Sequence, residues 1–218
     1  MARKKSQRFA ELTTFPHYFD CTKEMNGHWR EVYFHNNNPL ILELGCGKGE
    51  YAVALGEKNP HQNVIGIDIQ GERLWYGATA ATKKQLANVA FLRAYIDHLP
   101  EYFEKNEVNE LWITFPDPQP RGKYIRKRLT SPNFLTRYQL LLKPKGKLHL
   151  KTDNALFFEY SINAITAFGG TIQTQQTIHP EALAEDDVLR VQTMFEQKYR
   201  AQGIPILYCC FTLPIIDE

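Results

Sequence analysis

The sequence predicts an α/β fold built on a doubly wound, mostly parallel sheet of seven strands with helices on both faces. From Leu40 onward, short runs rich in Leu, Val and Ile alternate with segments of helix length, which is typical of βαβ units. A glycine-rich loop directly follows the first of these runs. The length of 218 residues suits one large domain better than two.

The expected elements alternate along the chain. Strands are expected at 40–44, 63–68, 89–93, 110–115, 146–151, 171–178 and 205–213. Helices are expected near 50–58, 72–87, 98–105, 132–142, 154–167 and 187–201, several of which carry apolar residues three or four apart. Asp153 is expected to cap the helix at 154–167. In such a sheet, ligands bind beyond the carboxyl ends of the strands.

Residues 1–38 show no sustained period and hold four basic residues among the first eight. We therefore expect a basic N-terminal arm followed by one domain at 39–218. The sequence does not decide whether this arm is ordered before its partner binds, although its charge and weak period suggest ordering on binding. A net charge of +2 with 43% apolar residues excludes a disordered polyelectrolyte. The chain has no apolar run of membrane-spanning length and no apolar segment after its basic start, so we expect a cytoplasmic protein without a membrane partner.

The four cysteines show no Cys-x-x-Cys pair and no spacing that suits a metal ion. We therefore expect reduced thiols and no metal site. Cys46 lies inside the glycine-rich loop, where we expect its small side chain to pack rather than react.

A nucleoside site is expected at residues 43–50, whose sequence is ELGCGKGE. Gly45, Gly47 and Gly49 stand between a strand and a helix, where they let the backbone turn tightly and approach a ligand. A phosphate-binding Walker A loop would require Ser or Thr after Gly-Lys. The last two glycines stand two apart rather than the three of the dinucleotide fingerprint. The loop therefore does not favour a pyrophosphate.

Two carboxylates accompany this loop. Glu43 ends the first strand, where it either attracts an ammonium group or interacts with the N-terminus of the following helix. Asp68 ends the second strand, where a carboxylate can accept hydrogen bonds from both hydroxyls of a ribose. S-adenosylmethionine, which becomes S-adenosylhomocysteine on methyl transfer, is a nucleoside with a cationic tail and matches this pair.

The turn after the third strand is the expected adenine site. Ile96 or Tyr95 is expected to pack on the face of the base. Asp97 either accepts a hydrogen bond from the adenine amino group or caps the next helix.

A second site is expected after the fourth strand, where Asp117 lies between Pro116 and Pro118. Because prolines stiffen the backbone on both sides of this carboxylate, we expect Asp117 to be an aimed, catalytic residue at the edge of the crevice. The alternative is that the two prolines simply end the strand.

Five cations then follow within eight positions: Arg121, Lys123, Arg126, Lys127 and Arg128. Such a run is typical of a loop that contacts phosphates, with a merely solvated basic loop as the alternative. Four lysines could extend the same face, at 143, 145, 147 and 151. Single-stranded or looped RNA is the expected partner, because no motif that reads a DNA groove is visible.

The loop ELGCGKGEY, the turn FPDP, the basic run ending in KRL, the segment LKTDN and the stretch TMFEQKY together resemble the tRNA (guanine-N7-)-methyltransferase family. The resemblance covers about residues 30–208. It implies a Rossmann-like class I methyltransferase fold. It also implies transfer of a methyl group from S-adenosylmethionine to N7 of the variable-loop guanine of tRNA, which forms 7-methylguanosine.

The resemblance also implies roles for individual residues. The cofactor and active-site acids would be Glu43, Asp68 and Asp117, and the substrate-binding residues would be Arg121, Asp153, Thr193 and Glu196. Two positions depart from the family pattern. Gln119 stands where many members carry tryptophan, and Arg121 stands where they carry lysine, which keeps the charge but changes the donor geometry.

Guanine N7 has an in-plane lone pair and no proton, so its methylation requires neither a general base nor a metal. We expect Asp117 and Asp153 to accept the N1 and N2 hydrogens of the guanine and to offset the positive charge that develops on its ring. Three alternatives remain: a methyltransferase acting on an exocyclic amine of RNA, a nucleotide-dependent oxidoreductase, and a non-catalytic RNA-binding scaffold. The sequence leaves the choice between monomer and homodimer open.

Overall fold

The computed structural model describes the backbone of residues 2–215 and the side chains of residues 5–215. The chain divides between residues 104 and 105 into two compact units. In the described range, each unit contains four strands and three α-helices. Within this same range, no helix combines the length and the apolar character that crossing a bilayer requires.

The first unit is a parallel α/β layer. Its strands are β1 (Tyr18–Asp20), β2 (Leu40–Leu44), β3 (Asn63–Asp68) and β4 (Val89–Arg93), and its helices are α1 (Ala2–Leu12), α2 (Glu50–Lys58) and α3 (Gly71–Lys83). The strands lie in the order β1-β4-β3-β2, and every neighbouring pair is parallel. Every residue of β2 and β3 is buried, which explains why both strands are rich in Leu, Ile or Val. The buried polar exceptions are Glu43 in β2 and Asn63 and Asp68 at the ends of β3.

The second unit combines one parallel pair with an antiparallel edge. Its strands are β5 (Val108–Thr114), β6 (Leu142–Thr152), β7 (Thr171–Thr177) and β8 (Leu207–Thr212), and its helices are α4 (Pro132–Leu141), α5 (Ala155–Ala167) and α6 (Met194–Ala201). The order is β5-β6-β8-β7. Strand β5 is parallel to β6, whereas β8 is antiparallel to both β6 and β7.

The prediction of an α/β fold with mostly parallel strands is confirmed. The described residues form eight strands rather than the seven expected. The additional strand is β1, which pairs with β4 over three residues. A strand this short carries no readable alternation of polar and apolar side chains, so the sequence did not indicate it.

The N-terminal segment contains a helix that packs on the first unit. Helix α1 packs on α3, where Leu12 is fully buried and the indole N–H of Trp75 donates to Glu11 at 2.9 Å. Lys5 pairs with Glu72 at 2.8 Å. The predicted ordering of this segment on RNA binding is therefore wrong for α1, which already lies on the first unit. The predicted domain boundary at residue 39 stays a prediction.

Two expected helices differ in extent. The segment expected at 98–105 is a 3₁₀ turn at Ile96–Glu101 that contains Pro100, and proline cannot donate the backbone hydrogen bond that a longer helix needs. The helix expected at 187–201 is interrupted, because only Val188–Arg190 forms a 3₁₀ turn before α6 begins at Met194.

The predicted helix cap at Asp153 is wrong, and so is the capping alternative for Asp97. Helix α5 is capped by Asn154, whose side chain accepts a hydrogen bond from Phe157 N at 2.8 Å, rather than by Asp153. Asp97 lies inside the 3₁₀ turn, and Tyr95 occupies the cap position. Neither Asp153 nor Asp97 therefore caps a helix.

Candidate functional sites

The glycine loop of the first unit presents an open backbone. Gly45 and Gly47 have φ angles of +70° and +56°, a region that favours glycine. A Cβ atom at Gly47 would meet nothing within 4 Å, and one at Gly45 would meet only Ile96 Cδ1, at 3.9 Å. The loop therefore leaves room for a ligand to approach the backbone at these two residues.

Gly49 serves packing instead. A Cβ atom there would lie 2.5 Å from Phe91 Cε1 and 3.0 Å from Gly77 Cα. This residue lets α2 approach β4 and α3 closely, so its absence of a side chain is explained without a ligand. Cys46 is buried in the same loop, and burial raises the pKa of its thiol well above the usual value, in agreement with the expected packing role.

Asp68 at the end of β3 holds the loop in place. Its Oδ2 accepts from Gly47 N at 2.9 Å and its Oδ1 accepts from Gln70 N at 2.7 Å. Each carboxylate oxygen has two acceptor positions, so both can accept a further hydrogen bond. The position beside the glycine loop fits the ribose role expected of Asp68.

Glu43 is almost fully buried, with 1% of its surface exposed. Its Oε2 accepts from Ala52 N at 2.8 Å, and Ala52 N is one of the first amide groups of α2, which lack partners within the helix. Of the two interpretations of Glu43, this contact matches an interaction with the helix N-terminus. Glu43 therefore fixes α2 directly behind the glycine loop.

Ile96 borders the open side of the loop. Its half-buried side chain is the nearest group to the space beside Gly45, as expected for the wall of a base-binding site. The neighbouring Tyr95 is 60% exposed. An open glycine loop, a carboxylate with further acceptor positions and an apolar wall fit a nucleoside cofactor such as S-adenosylmethionine.

The second unit stacks two aromatic side chains at the end of β5. Phe115, directly after β5, has a φ angle of +49° and donates its N–H to Lys151 O at 2.8 Å. Its ring stacks with Tyr199 of α6 at a centroid distance of 6.2 Å and an angle of 27°. Burial and the nearby charge of Asp153 raise the pKa of Tyr199. The charge of Asp153 therefore acts on one ring of a half-exposed aromatic pair.

Asp117 lies on the exposed side of the turn that follows Phe115. Its Oδ1 accepts from Gln119 N at 3.0 Å, which closes a local turn between carboxylate and backbone. Gln119 itself adopts a left-handed φ of +47°. The carboxylate of Asp117 is thus oriented by its own turn while it stays accessible.

Four of the five cations in the basic run are exposed: Arg121, Lys123, Arg126 and Lys127. Tyr124 lies among them, with the ammonium groups of Lys123 and Lys127 5.0 and 5.2 Å from its ring centroid. This arrangement matches a phosphate-contacting loop. Arg128 differs from the other four because it is half-buried.

The T-x-x-E segment is a structural cluster. Thr193 caps α6 by accepting from Glu196 N at 3.3 Å. Glu196 is fully buried and pairs with Lys151 at 2.6 Å and with Arg200 at 2.7 Å. The expected extension of the basic face to Lys151 is therefore wrong, because this ammonium is buried and also donates to the carbonyl of Val191 at 2.9 Å.

Sequence reasoning missed the aromatic partners of the second site. Phe115 was visible as the first residue of FPDP and Tyr199 as the last of TMFEQKY, but nothing in their spacing indicates that they stack. The capping role of Thr193 did have a signal, since Thr193 and Glu196 have the spacing of a capping box.

Comparisons with known proteins identify the family to which this sequence is similar. Residues 37–209 match a family model described as "Putative methyltransferase". Two relatives are each 40% identical: the tRNA (guanine-N(7)-)-methyltransferase of Bacteroides thetaiotaomicron, over 98% of this chain and 87% of that protein, and that of Christiangramia forsetii, over 97% and 99%.

Solved structures show the fold. The 16S rRNA methyltransferase KamB matches with a TM-score of 0.65 and 18% identity, over 84% of this chain and 92% of its own. An antibiotic-related methyltransferase matches with a TM-score of 0.64 and 19% identity, over 88% and 94%. From the glycine loop, the FPDP turn and these relatives together, we conclude that the chain belongs to the tRNA (guanine-N(7)-)-methyltransferase family.

Proposed function

We propose that this protein transfers the methyl group of S-adenosylmethionine to N7 of the variable-loop guanine of tRNA. The observation that carries the proposal is 40% identity over 97–98% of the chain to tRNA (guanine-N(7)-)-methyltransferases. S-adenosylmethionine supplies an electrophilic methyl group on its sulfonium.

The first unit is assigned to the cofactor. Gly45 and Gly47 would offer their backbone to it, Asp68 would accept hydrogen bonds from its ribose, and Ile96 would pack on its adenine. The open space beside both glycines supports this assignment. We assign Glu43 and Gly49 to positioning the loop, because the carboxylate of Glu43 binds α2 and a side chain at position 49 would collide with Phe91.

The second unit is assigned to the guanine. Asp117 and Asp153 would accept the N1 and N2 hydrogens of the base, and their negative charge would offset the positive charge that grows on the ring as N7 forms its new bond. The exposed carboxylate of Asp117 and the half-exposed one of Asp153 support this role. The rings of Phe115 and Tyr199 offer a face on which a purine can stack.

The tRNA backbone is assigned to the exposed cations at 121, 123, 126 and 127. We assign Thr193 and Glu196 to support of the guanine site, because Glu196 is buried and both its oxygens pair with cations. Glu196 acts by fixing Lys151 at the end of β6, immediately before the segment that carries Asp153.

The test is methyl transfer from labelled S-adenosylmethionine to unmodified tRNA, followed by chemical cleavage at 7-methylguanine. The proposal predicts cleavage at one variable-loop guanine. The matched control is the same tRNA with adenine at that position, which should take up no label. Label that resists cleavage would indicate methylation of an exocyclic amine. Cofactor binding without incorporation would contradict the proposed reaction.

A further inference from the structure

Arg128 is the one member of the predicted phosphate-contacting run whose guanidinium faces the protein. The other four cations are exposed, whereas Arg128 is half-buried. Its Nε donates to Pro118 O at 3.1 Å and its Nη2 donates to Gln119 O at 3.3 Å. The guanidinium also lies over the ring of Tyr160, with Cζ 4.2 Å from the ring centroid.

These two carbonyl groups belong to the turn that orients Asp117. The carboxylate of Asp117 accepts from Gln119 N. The peptide unit between Pro118 and Gln119 therefore binds both groups, because its carbonyl accepts from Arg128 and its N–H donates to Asp117. Gln119 has a left-handed φ of +47°, a conformation that is unfavourable for a residue with a side chain. The contacts of Arg128 stabilise the turn in this unfavourable conformation.

We propose that Arg128 is a positioning residue that fixes Asp117 for the reaction, and that it does not bind a tRNA phosphate. This inference rests on the proposed function of the second unit. The guanidinium uses one edge to bind the turn and one face to pack on Tyr160 of α5. Through Arg128, helix α5 therefore helps to fix the orientation of the Asp117 carboxylate.

The chain close to Arg128 is itself anchored. Thr130 and Ser161 are fully buried and their hydroxyl oxygens lie 2.8 Å apart. Ser131 is buried and donates its hydroxyl to the carbonyl of Arg126 at 3.1 Å. The end of the basic run is therefore tied to α5, and Arg128 transmits this rigid attachment to the turn at 117–119.

Lysine cannot reproduce these contacts. Its ammonium has neither the planar surface that stacks on a ring nor the forked donors that reach two carbonyls at fixed angles. The variant Arg128→Lys keeps the positive charge, so it separates a positioning role from a phosphate-binding role.

The test compares Arg128→Lys with the parent enzyme in tRNA methylation. We expect kcat to fall about 10- to 100-fold, because small displacements of an aimed group have effects of this size. The KM for tRNA, the salt dependence of tRNA binding and the Kd of S-adenosylmethionine should stay unchanged. A purely structural role would not produce this separation of kcat from KM.

Arg137→Lys is the matched control. Arg137 has the same kinds of contact, since it donates to Asn133 O at 2.8 Å and lies 5.3 Å from the Phe134 ring centroid, but it is remote in sequence from the turn. Arg137→Lys should change neither kcat nor KM. Arg126→Ala should show the opposite pattern to Arg128→Lys, with a raised KM and a weaker salt dependence.

Tyr160→Leu keeps the test decisive if Arg128→Lys folds poorly. It removes the ring but leaves both hydrogen bonds of the guanidinium, so we expect a smaller fall in kcat, again at constant KM. A raised KM at unchanged kcat in Arg128→Lys, or no change in either constant, would overturn the inference. Failure of this inference can be told apart from failure of the proposed function. If the proposed function is wrong, the parent enzyme itself forms no 7-methylguanine.

Discussion

The candidate acids of the cofactor site and of the guanine site differ in burial. Beside the glycine loop of the first unit, Glu43 of β2 and Asp68 of β3 are buried and accept hydrogen bonds from the backbone that surrounds them. In the second unit, Asp117 is exposed and Asp153 half-exposed. The first pair builds a loop that fits a cofactor, whereas the second pair stays accessible to a base. Replacing a buried acid should therefore cost stability, and replacing an open one should cost only turnover.

Glu196 extends this contrast because it is a buried acid in the second unit. Lys151→Met leaves its charge without the closest partner, so we expect unfolding to become easier by about 3–5 kcal/mol. Lys147→Met, on the same strand, is the control and should change the unfolding free energy by less than about 0.5 kcal/mol, because the Lys147 side chain is exposed. Denaturant unfolding measures both values. Equal losses in the two variants would show that Glu196 does not depend on Lys151.

Asp68→Asn tests the first unit. Asparagine has an NH2 group in place of one carboxylate oxygen, and this group cannot accept a hydrogen bond from Gly47 N or Gln70 N. We therefore expect a loss of about 1–3 kcal/mol in unfolding free energy. The Kd of S-adenosylmethionine should rise while the Kd of tRNA stays constant, as measured by calorimetry and filter binding. Glu57→Gln, at an exposed surface ion pair with Lys84, is the control. Unchanged stability would contradict a role for Asp68 in holding the loop.

Variants in the basic run should have a smaller effect, which concerns only the binding of tRNA to the second unit. Arg126→Ala combined with Lys127→Ala should reduce the slope of log K for tRNA against log salt by about 0.7–0.9 for each phosphate that these cations neutralise. Thermal stability should not change, because both side chains are exposed. Lys83→Ala on α3 is the control for a general decrease in positive charge. An unchanged slope in the double variant would identify a solvated loop.

The weakest effect that we expect is a pH dependence inside the second unit. His149 lies 3.2 Å from Glu110. Burial opposes its charge, but the interactions with Cys210 and with the nearby Glu110 carboxylate outweigh burial and raise the pKa of His149 above its usual 6.5. Burial likewise opposes ionisation of Glu110, but the interaction with the nearby His149 outweighs burial and lowers the pKa of Glu110 below 4.5.

The histidine contribution is complete below pH 6.5 and is lost as pH rises through the raised pKa of His149. The carboxylate contribution is present above pH 4.5 and is lost as pH falls through the lowered pKa of Glu110. The destabilisation caused by His149→Gln should therefore be larger at about pH 5.5 than at about pH 8.5. The exposed His61→Gln should show no such difference. Equal destabilisation at both pH values would contradict an ionised pair.

The sequence was most informative where one local pattern decides the structure. The run LILEL at 40–44 and the helix at 50–58 were predicted with the observed bounds, because an apolar run and a glycine loop mark both ends. The two antiparallel strands β7 and β8 were also predicted, β7 from an alternating pattern and β8 from a continuous apolar run.

Contacts between distant residues set the limit of prediction. Lys151 reads as a surface cation, and only the arrival of α6 makes it the buried partner of Glu196. Arg128 reads as one of five equivalent cations until the carbonyls of Pro118 and Gln119 are seen to accept from it. Helix α1 was missed because polar residues dominate it, although Leu12 is fully buried.

The division of labour between the two units requires that the open carboxylates of the second unit act on the guanine and not on the fold or the cofactor. The decisive variant is Asp117→Asn, with turnover, the Kd of S-adenosylmethionine and the unfolding temperature measured on one preparation. We expect a fall in kcat of about 10²–10³-fold, with cofactor affinity and unfolding temperature unchanged. An equal loss of turnover and cofactor affinity would assign Asp117 to the cofactor and contradict this division.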